Sequence, residues 1–299
     1  MKIIIAGGTG RVGEALTEAL LKKGHQVVIL SRKAKTSDVL GLSYSKWDPA
    51  ANQVDSSLSK QADAIVNLSG ASIAQRWTEA SKREILSSRI ESTKLLSNLA
   101  SQNDSKIRTF INASAIGFYA AGDEWKTEEA PAGDHFMAKV CSQWEDAVQL
   151  QDAREIRKII IRIGVVLEAG GGALKAMSLP FKLGLGAALG SGKQYMSVIH
   201  LDDLIGIILL GLEQESIQGV YNATMTKIPT NKEFSKSLAK ALNRPFFLPA
   251  MPAFVLRLFL GETAESVLLS FRLRNEKIRN AGYSFKYPDV DSALQDIYK

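Results

Sequence analysis

Three glycines at a fixed spacing, Gly7, Gly10 and Gly13 in the run Gly7-Gly8-Thr9-Gly10-Arg11-Val12-Gly13, are the first residues able to do chemistry. A β-branched run at residues 2–6 leads directly into them, and a helical pattern at residues 14–23 follows. In that setting the glycines suit a tight turn, close approach of a pyrophosphate and close helix–strand contact, while the helix N-terminus offers N–H groups and a positive dipole. A purely structural glycine turn is the plain alternative; the strand before and the helix after argue against it. About 20 residues past such a motif, folds that bind NAD place an Asp or Glu on the ribose hydroxyl. This chain has Ser31-Arg32 there. An acid would repel a 2′-phosphate, whereas Arg32 can make a charge-assisted contact with it and Ser31 can add a hydroxyl, so NADP(H) is the dinucleotide expected. Such a contact contributes roughly 1.5–3 kcal/mol, about one to two decades of preference over NAD(H). The competing reading of Arg32 is a solvated charge at a strand end.

These residues need a sheet edge to hold them. Apolar β-branched runs at residues 2–6, 26–31, 42–47, 64–68, 109–114 and 158–163 alternate with longer helical patterns. That order implies right-handed crossovers and an α/β class fold, a Rossmann-type doubly wound parallel sheet covered on both faces. Residues 78–100 carry Ile85, Ile90, Leu95, Leu96 and Leu99 along one helical stripe and are expected to pack on the sheet. From Gly170 the glycines crowd together (Gly170, Gly171, Gly172, Gly184, Gly186, Gly190, Gly192) before Ile199-His200-Leu201-Asp202-Asp203. His200 ahead of Asp202-Asp203 could suggest a triad or a metal; the expected reading is the start of a core helix with Asp202 as its N-cap. Three prolines within residues 245–252 mark an irregular connection ahead of an amphipathic segment at 253–269. The expected organisation is a nucleotide-binding domain over residues 1–164, with 198–224 returning to its core. Residues 165–197 and 225–299 are then a smaller, mostly helical substrate lobe.

The composition narrows the function classes. The 299 residues include 37 Lys and Arg against 31 Asp and Glu, a net charge of +6, and the cations are scattered among the acids. They read as a solvated surface that suits an anionic cofactor, and no nucleic-acid partner is expected. No apolar run nears the roughly 20 residues needed to span a bilayer, so no membrane partner is expected. Met1 leads straight into a β-like run without a cleavable leader pattern, so a cytoplasmic location is expected. The single cysteine, Cys141, cannot form an internal disulfide, and His25, His135 and His200 lack metal-ligand spacing, so no metal site is expected.

A set of motifs across nearly the whole chain carries a family likeness. GGTGRVG, LSR, NLSG (67–70), SSRIEST (87–93), SAIGFY (114–119), CSQWE (141–145), GVVLEAGGGAL and GSGKQYMSVIHLDDL resemble the atypical extended short-chain dehydrogenases/reductases of the nucleoside-diphosphate-sugar epimerase-like subgroup. LGETAESVLLSFRLRNEKIRNAGYSFKYPDV is similar to the short C-terminal domain of unknown function typical of that subgroup. The resemblance implies a seven-stranded parallel sheet with NADP(H) along its carboxyl edge. It implies that Gly7, Thr9, Gly10, Arg11, Val12 and Gly13 hold the pyrophosphate, and that Ser31 and Arg32 hold the 2′-phosphate. It places Leu68, Ser69 and Gly70 along the cofactor, and adds Glu84 and Arg89 on the long helix and Val165 near the nicotinamide. For Glu84 and Arg89 a surface ion pair is the plain alternative.

The catalytic region departs from the wider superfamily, which uses Tyr-x-x-x-Lys on a helix. When Glu145 is aligned with the glutamate that follows this pair, the Tyr position becomes Met137 and the Lys position Cys141. Lys139 lies two residues off, some 200° around the helix, and cannot simply substitute. Ser114 is the candidate polarising hydroxyl, with Ala115 as the alternative occupant of that slot; Tyr119, His135 and Cys141 are the candidate acids. A plain buried thiol is the competing reading of Cys141. Nucleotide-sugar enzymes often carry Arg-Asp where this chain has Met196-Ser197, which argues against a sugar diphosphate, although Lys193 or Arg76 could supply charge. GSGKQ fails as a nucleotide P-loop, because Ala187 stands at the first glycine and Gln194 at the Ser/Thr.

Two functions remain open from the sequence. One is an NADP(H)-dependent oxidoreductase or epimerase-like enzyme acting on a small polar molecule, with a homodimer as the candidate assembly. The other is a non-catalytic NADP(H)-sensing protein that works through a partner.

Overall fold

The computed structural model describes residues 1–150 and 155–299. In chain order the strands are β1 (Lys2–Ala6), β2 (Gln26–Ser31), β3 (Leu42–Lys46), β4 (Ala64–Asn67), β5 (Thr109–Ala115), β6 (Gly122–Lys126), β7 (Arg157–Ile163), β8 (Val165–Leu167), β9 (Val198–His200), β10 (Gly219–Ala223) and β11 (Phe271–Leu273). The helices are α1 (Arg11–Lys22), α2 (Glu79–Ala100), α3 (Phe136–Asp146), α4 (Gly172–Lys182), α5 (Leu201–Glu213), α6 (Asn231–Ala241), α7 (Ala253–Leu260), α8 (Ala264–Leu268), α9 (Glu276–Asn280) and α10 (Val290–Ile297).

Seven strands form one parallel sheet in the order β10-β7-β5-β4-β1-β2-β3. Each interior strand is buried on both sides, as a sheet covered by helices on two faces requires. Ile3 and Ile5 pack with Leu16 and Leu20 of α1 and with Ile207 and Ile208 of α5. Ile4, between them, faces the other way and packs with Leu96 and Leu99 of α2 and with Val28, Ile65 and Trp47. The chain leaves β1 toward β2 and β3 on one side and returns to β4 on the other, so the loops after β1 and β4 diverge. Such a switch point opens the crevice in which doubly wound sheets bind ligands.

The long helix forms as its stripe indicates. Thr78 caps α2, with its hydroxyl accepting from the Ser81 amide and the Ser81 side chain answering at the Thr78 amide. Ile85, Leu95, Leu96 and Leu99 are buried. One expectation needs correction. Asp202 does not cap α5: the His200 Nδ1 accepts from the Asp202 amide at 3.1 Å and takes the N-cap position, two residues earlier than an aspartate cap would sit. Asp202 instead pairs with Lys286 at 2.8 Å. The amphipathic segment at 253–269 forms two helices, α7 and α8, divided at Gly261 with φ +60°.

Two further parallel pairs lie outside the main sheet. β8 pairs with β9, and β6 pairs with β11 across some 150 residues of sequence. α4, α6 and α10 enclose another core around Phe181, Phe234, Leu238 and Leu294. Among the described residues, no helix is long and apolar enough to cross a membrane.

Candidate nucleotide site and the cleft beside it

The loop from β1 to α1 stands at the switch point, and two of its glycines are dictated by the protein itself. Gly7 has φ +79°, and a Cβ there would lie 2.7 Å from the backbone carbonyl of Leu68. A Cβ on Gly13 would lie 2.3 Å from the Gly7 oxygen and 2.6 Å from the Gly8 Cα. Gly10 differs: its extended backbone suits any residue, and a Cβ would meet only the Gly7 oxygen, at 3.4 Å. No side chain caps α1, so its first-turn amides open onto the space above Gly10. Thr9 and Arg11 are exposed beside it and Val12 is half-buried. Arg11 reaches across to donate to the Gly170 carbonyl at 3.2 Å.

At the end of β2, Ser31 is nearly buried and its hydroxyl oxygen accepts from the Lys33 amide at 3.3 Å. Arg32 points out beside it, exposed and without a side-chain partner among the described residues. β3 lies in register with Lys46 opposite Ser31, so the β2 end carries Arg32 and Lys33, with Lys46 one strand over. The sheet edge therefore offers a glycine cradle and, one strand over, a cluster of cations.

Beyond β4 the polar groups are locked together. Asn67 donates to Thr93 Oγ1 at 2.9 Å and to Asn112 Oδ1 at 2.8 Å, and its own oxygen accepts from the Ser69 hydroxyl at 2.5 Å. Trp144 donates to the same Thr93 oxygen at 2.9 Å. This network fixes the Leu68-Ser69-Gly70 turn against the Gly7 loop. Arg89 lies over Gly70, where a Cβ would come within 2.9 Å of its Cζ. It donates to the Ala71 and Ile85 carbonyls at 3.1 and 2.9 Å, rests 5.1 Å from the Trp144 ring centroid, and leaves its Nε buried without a partner. Burial lowers its pKa from the usual arginine range. Glu84 is exposed, and no salt bridge joins it to Arg89 among the described residues.

On α3, Met137 and Cys141 both turn inward, into an apolar cluster with Ile85 and Val140. Lys139 is exposed between them. The polar candidates around them are already engaged. The Ser114 hydroxyl donates to Glu145 Oε1 at 2.6 Å. Glu145 takes a two-pronged ion pair from Arg162, Nε to Oε1 and Nη2 to Oε2, both at 2.9 Å. The remaining Arg162 nitrogen donates to the Tyr119 hydroxyl at 2.9 Å and to the Glu128 carbonyl at 3.0 Å. Tyr119 in turn donates to Asn222 Oδ1 at 2.6 Å. Tyr119 and Cys141 are wholly buried. Burial pushes each of their pKa values up to about 12, and the nearby Arg162 offsets only part of the effect on the tyrosine. His135 caps α3, its Nδ1 accepting from the Ala138 amide at 3.3 Å, while Nε2 lies 3.0 Å from the Tyr119 carbonyl. With Nδ1 accepting, the proton belongs on Nε2, donating to that carbonyl.

The structure thus brings Ser114, Tyr119 and Cys141 to one side of the sheet, inside the packed interior. The residue that joins Ser114 to Tyr119 was missed in the sequence. Arg162 interrupts the apolar run of β7, and a charge in a strand that must be buried calls for a buried partner. Glu145 served there only as an alignment marker.

Val165, half-buried, donates its amide to the Ser197 carbonyl at 2.9 Å and joins the β7 end to the 195–197 segment. Arg76 and Lys193 are exposed. Among the described residues, no three His, Cys, Asp or Glu side chains converge as metal ligands would.

Comparison with known proteins adds to this geometry. Residues 3–224 match the model of the NAD dependent epimerase/dehydratase family, and residues 251–297 match a domain of unknown function, DUF1731. The chain is 35% identical over 299 residues to the epimerase family protein YfhF of Bacillus subtilis, covering 99% of this chain and 98% of that one. The crystal structure of the human epimerase family protein SDR39U1 with NADPH superposes with a TM-score of 0.89 at 33% identity, covering 100% of this chain and 99% of that one. A nucleoside-diphosphate sugar epimerase from Corynebacterium glutamicum gives a TM-score of 0.81 at 31% identity, covering all of this chain and 58% of the other.

Proposed function

The chain belongs to the NAD dependent epimerase/dehydratase family, and from that premise we propose that it binds NADP(H) and acts as an oxidoreductase or epimerase-like enzyme on a small polar substrate. The observation that carries the reading is the glycine cradle at the switch point beside a β2 end that is cationic and free of acid. Nothing in the protein explains the glycine at position 10, and a pyrophosphate seated on the first-turn amides of α1 does. Gly7, Thr9, Gly10, Arg11, Val12 and Gly13 would surround that pyrophosphate, with Ser31 and Arg32 at the 2′-phosphate. Leu68, Ser69, Gly70 and Arg89 would flank the ribose and the groups beyond it, Val165 would lie near the nicotinamide, and Glu84 would stand at the rim. When bound, the cofactor supplies a hydride donor or acceptor.

The chain's own residues would orient and exclude water. Met137 and Cys141 add apolar bulk where the usual tyrosine and lysine would stand, and Ser114, Tyr119 and Arg162 would brace the sheet edge beneath. We therefore assign Ser114, Tyr119 and Cys141 positioning and packing roles, and the proton of any reduction would come from substrate or water. Residues 165–197 and 225–299 would form the substrate side of the cleft. A second reading, a non-catalytic NADP(H) sensor, is favoured by one specific observation: the candidate acids Tyr119 and Cys141 are wholly buried, and the Tyr119 hydroxyl is held by Asn222 and Arg162. The two separate when purified protein with bound NADPH is incubated with a pooled set of small metabolites and its absorbance at the reduced nicotinamide band is followed. Loss of the band supports the enzyme. Persistent binding with no loss supports the sensor, and absence of NADPH binding contradicts both.

A further inference from the structure

Among the described residues, the cations of the β6·β11 pair are engaged by acids except one. Arg274 donates to Glu276 at 2.7 Å, Lys126 pairs with Glu124, and Asp123 accepts from Ser270 at 2.5 Å. Arg272 has no hydrogen bond or ion pair among the described residues, and its Nε is buried without a partner. Its guanidinium is nonetheless held in place, with Cζ 4.3 Å from the Trp125 ring centroid and 4.2 Å from that of Tyr195. The arrangement is built by the fold: the register of β6 and β11 shifts after Phe271, which sets Trp125 directly opposite Arg272. Tyr195 is brought in by the Phe271 amide, which donates to the Tyr195 carbonyl at 3.1 Å.

A guanidinium flanked by aromatic faces gains from each of them, but its five N–H donors lie in its own plane and are not satisfied by a ring. A structural arginine in such a stack ordinarily spends those donors on a carboxylate or carbonyls. Here the neighbouring acids are all taken, which leaves a fixed, planar fork with no acceptor. Arg272 is half-buried, so part of that fork is open to solvent while part is already stripped of water, the condition in which a charge-assisted pair is strongest. The location also suits a ligand. The Ser197 hydroxyl donates to the Phe271 carbonyl at 2.8 Å, and the Ser197 carbonyl holds the Val165 amide at 2.9 Å, so Arg272 is one residue from the strap that reaches the expected nicotinamide end.

We propose that Arg272, clamped by Trp125 and Tyr195, is an oxyanion-binding site, the anchor for a carboxylate or phosphate group on the ligand of this protein. The site itself stands on geometry alone; its use by a substrate rests on the NADP(H) reading above. The test uses protein saturated with NADPH, so that the glycine cradle does not compete, titrated at constant ionic strength with inorganic phosphate in one arm and succinate in another. Tryptophan fluorescence reports the site through Trp125. A saturable change is expected, with phosphate alone if the ligand is a phosphate ester and with succinate alone if it is a carboxylic acid. Arg272→Gln should weaken it by about 10- to 100-fold. Arg274→Gln, which removes a cation already paired, should leave it within about threefold. Arg272→Lys keeps the charge in the stack and loses the fork, so it should bind several-fold more weakly; it also serves if Arg272→Gln does not fold. Absence of saturation with either anion, an unchanged isotherm in Arg272→Gln, or full-strength binding in Arg272→Lys would overturn the proposal. NADPH binding, read separately, should be unchanged in all three variants, so its failure is seen apart from failure of the anion site.

Discussion

Replacing Glu145 by alanine isolates the interaction that organises the floor of the candidate site. Its carboxylate is the sole acid on Arg162 among the described residues, and the two side chains are only 12% and 5% exposed. Burial opposes the Arg162 charge, and the Glu145 bonds outweigh it, so the arginine's pKa rises above its usual range. Glu145→Ala leaves that charge buried against Phe118 and Tyr119, and removes the acceptor of the Ser114 hydroxyl. Breaking one side of a buried pair costs about 3–5 kcal/mol. For a domain of this size each kcal/mol corresponds to about 2–3 °C, so the expected drop in Tm is on the order of 6–15 °C. Thermal melts at a fixed scan rate would read it. The double variant Glu145→Leu with Arg162→Met removes both charges and should recover at least half of the loss, since an apolar pair of similar volume often replaces a buried ion pair without penalty. A shift below about 2 °C in the single variant, or a double variant no better than the single, would refute the reasoning.

Other expectations follow from the same geometry. Cys141 should resist a thiol reagent in the folded protein at pH 8 and react only on unfolding, because it is wholly buried with its pKa pushed up to about 12; rapid labelling would contradict its placement. Tyr119 and Cys141 should both weaken the fold in alkali. Their folded pKa values stand above the ordinary 10.0 and 9.0, so between those values and about 12 the unfolded chain binds fewer protons, and stability should fall as pH rises. A urea midpoint that stayed level from pH 8.5 to 11 would count against this. Gly13→Ala puts a Cβ 2.3 Å from a backbone oxygen and should destabilise the protein measurably, whereas Gly10→Ala meets no close atom and should leave Tm within about 2 °C. Yet Gly10→Ala should weaken NADPH binding by about tenfold or more, since the methyl group fills the cradle; unchanged affinity would remove the pyrophosphate from that position.

The strands that carry the cradle were legible because they are buried on both faces and therefore read as unbroken apolar runs, Ile3 to Ala6 and Val27 to Leu30 above all. The glycine motif was legible for the same reason: its partner elements are local. β6 and β11 were not, since GDEWK and FRL carry charge and find each other only across the length of the chain. β10, with Asn222 buried in its middle, offers no β signal until Tyr119 supplies the partner for that amide. That Ser114 and Tyr119 would be tied to one another through Glu145 and Arg162 could not be read from spacing, because three different elements contribute to the link. The His200 cap shows a smaller version of the same limit: Asp is the commoner cap by type, and only the backbone angle decides which residue stands first.

The central claim, that this chain takes NADP(H) through its glycine cradle and the cation at the end of β2, is tested most directly by parallel fluorescence titration with NADPH and NADH of the protein and of Arg32→Ala. The account predicts a preference for NADPH of about one to two decades that the substitution removes, with NADH affinity little changed. Equal affinity for the two cofactors in the unsubstituted protein, or a preference that survives Arg32→Ala intact, would contradict it.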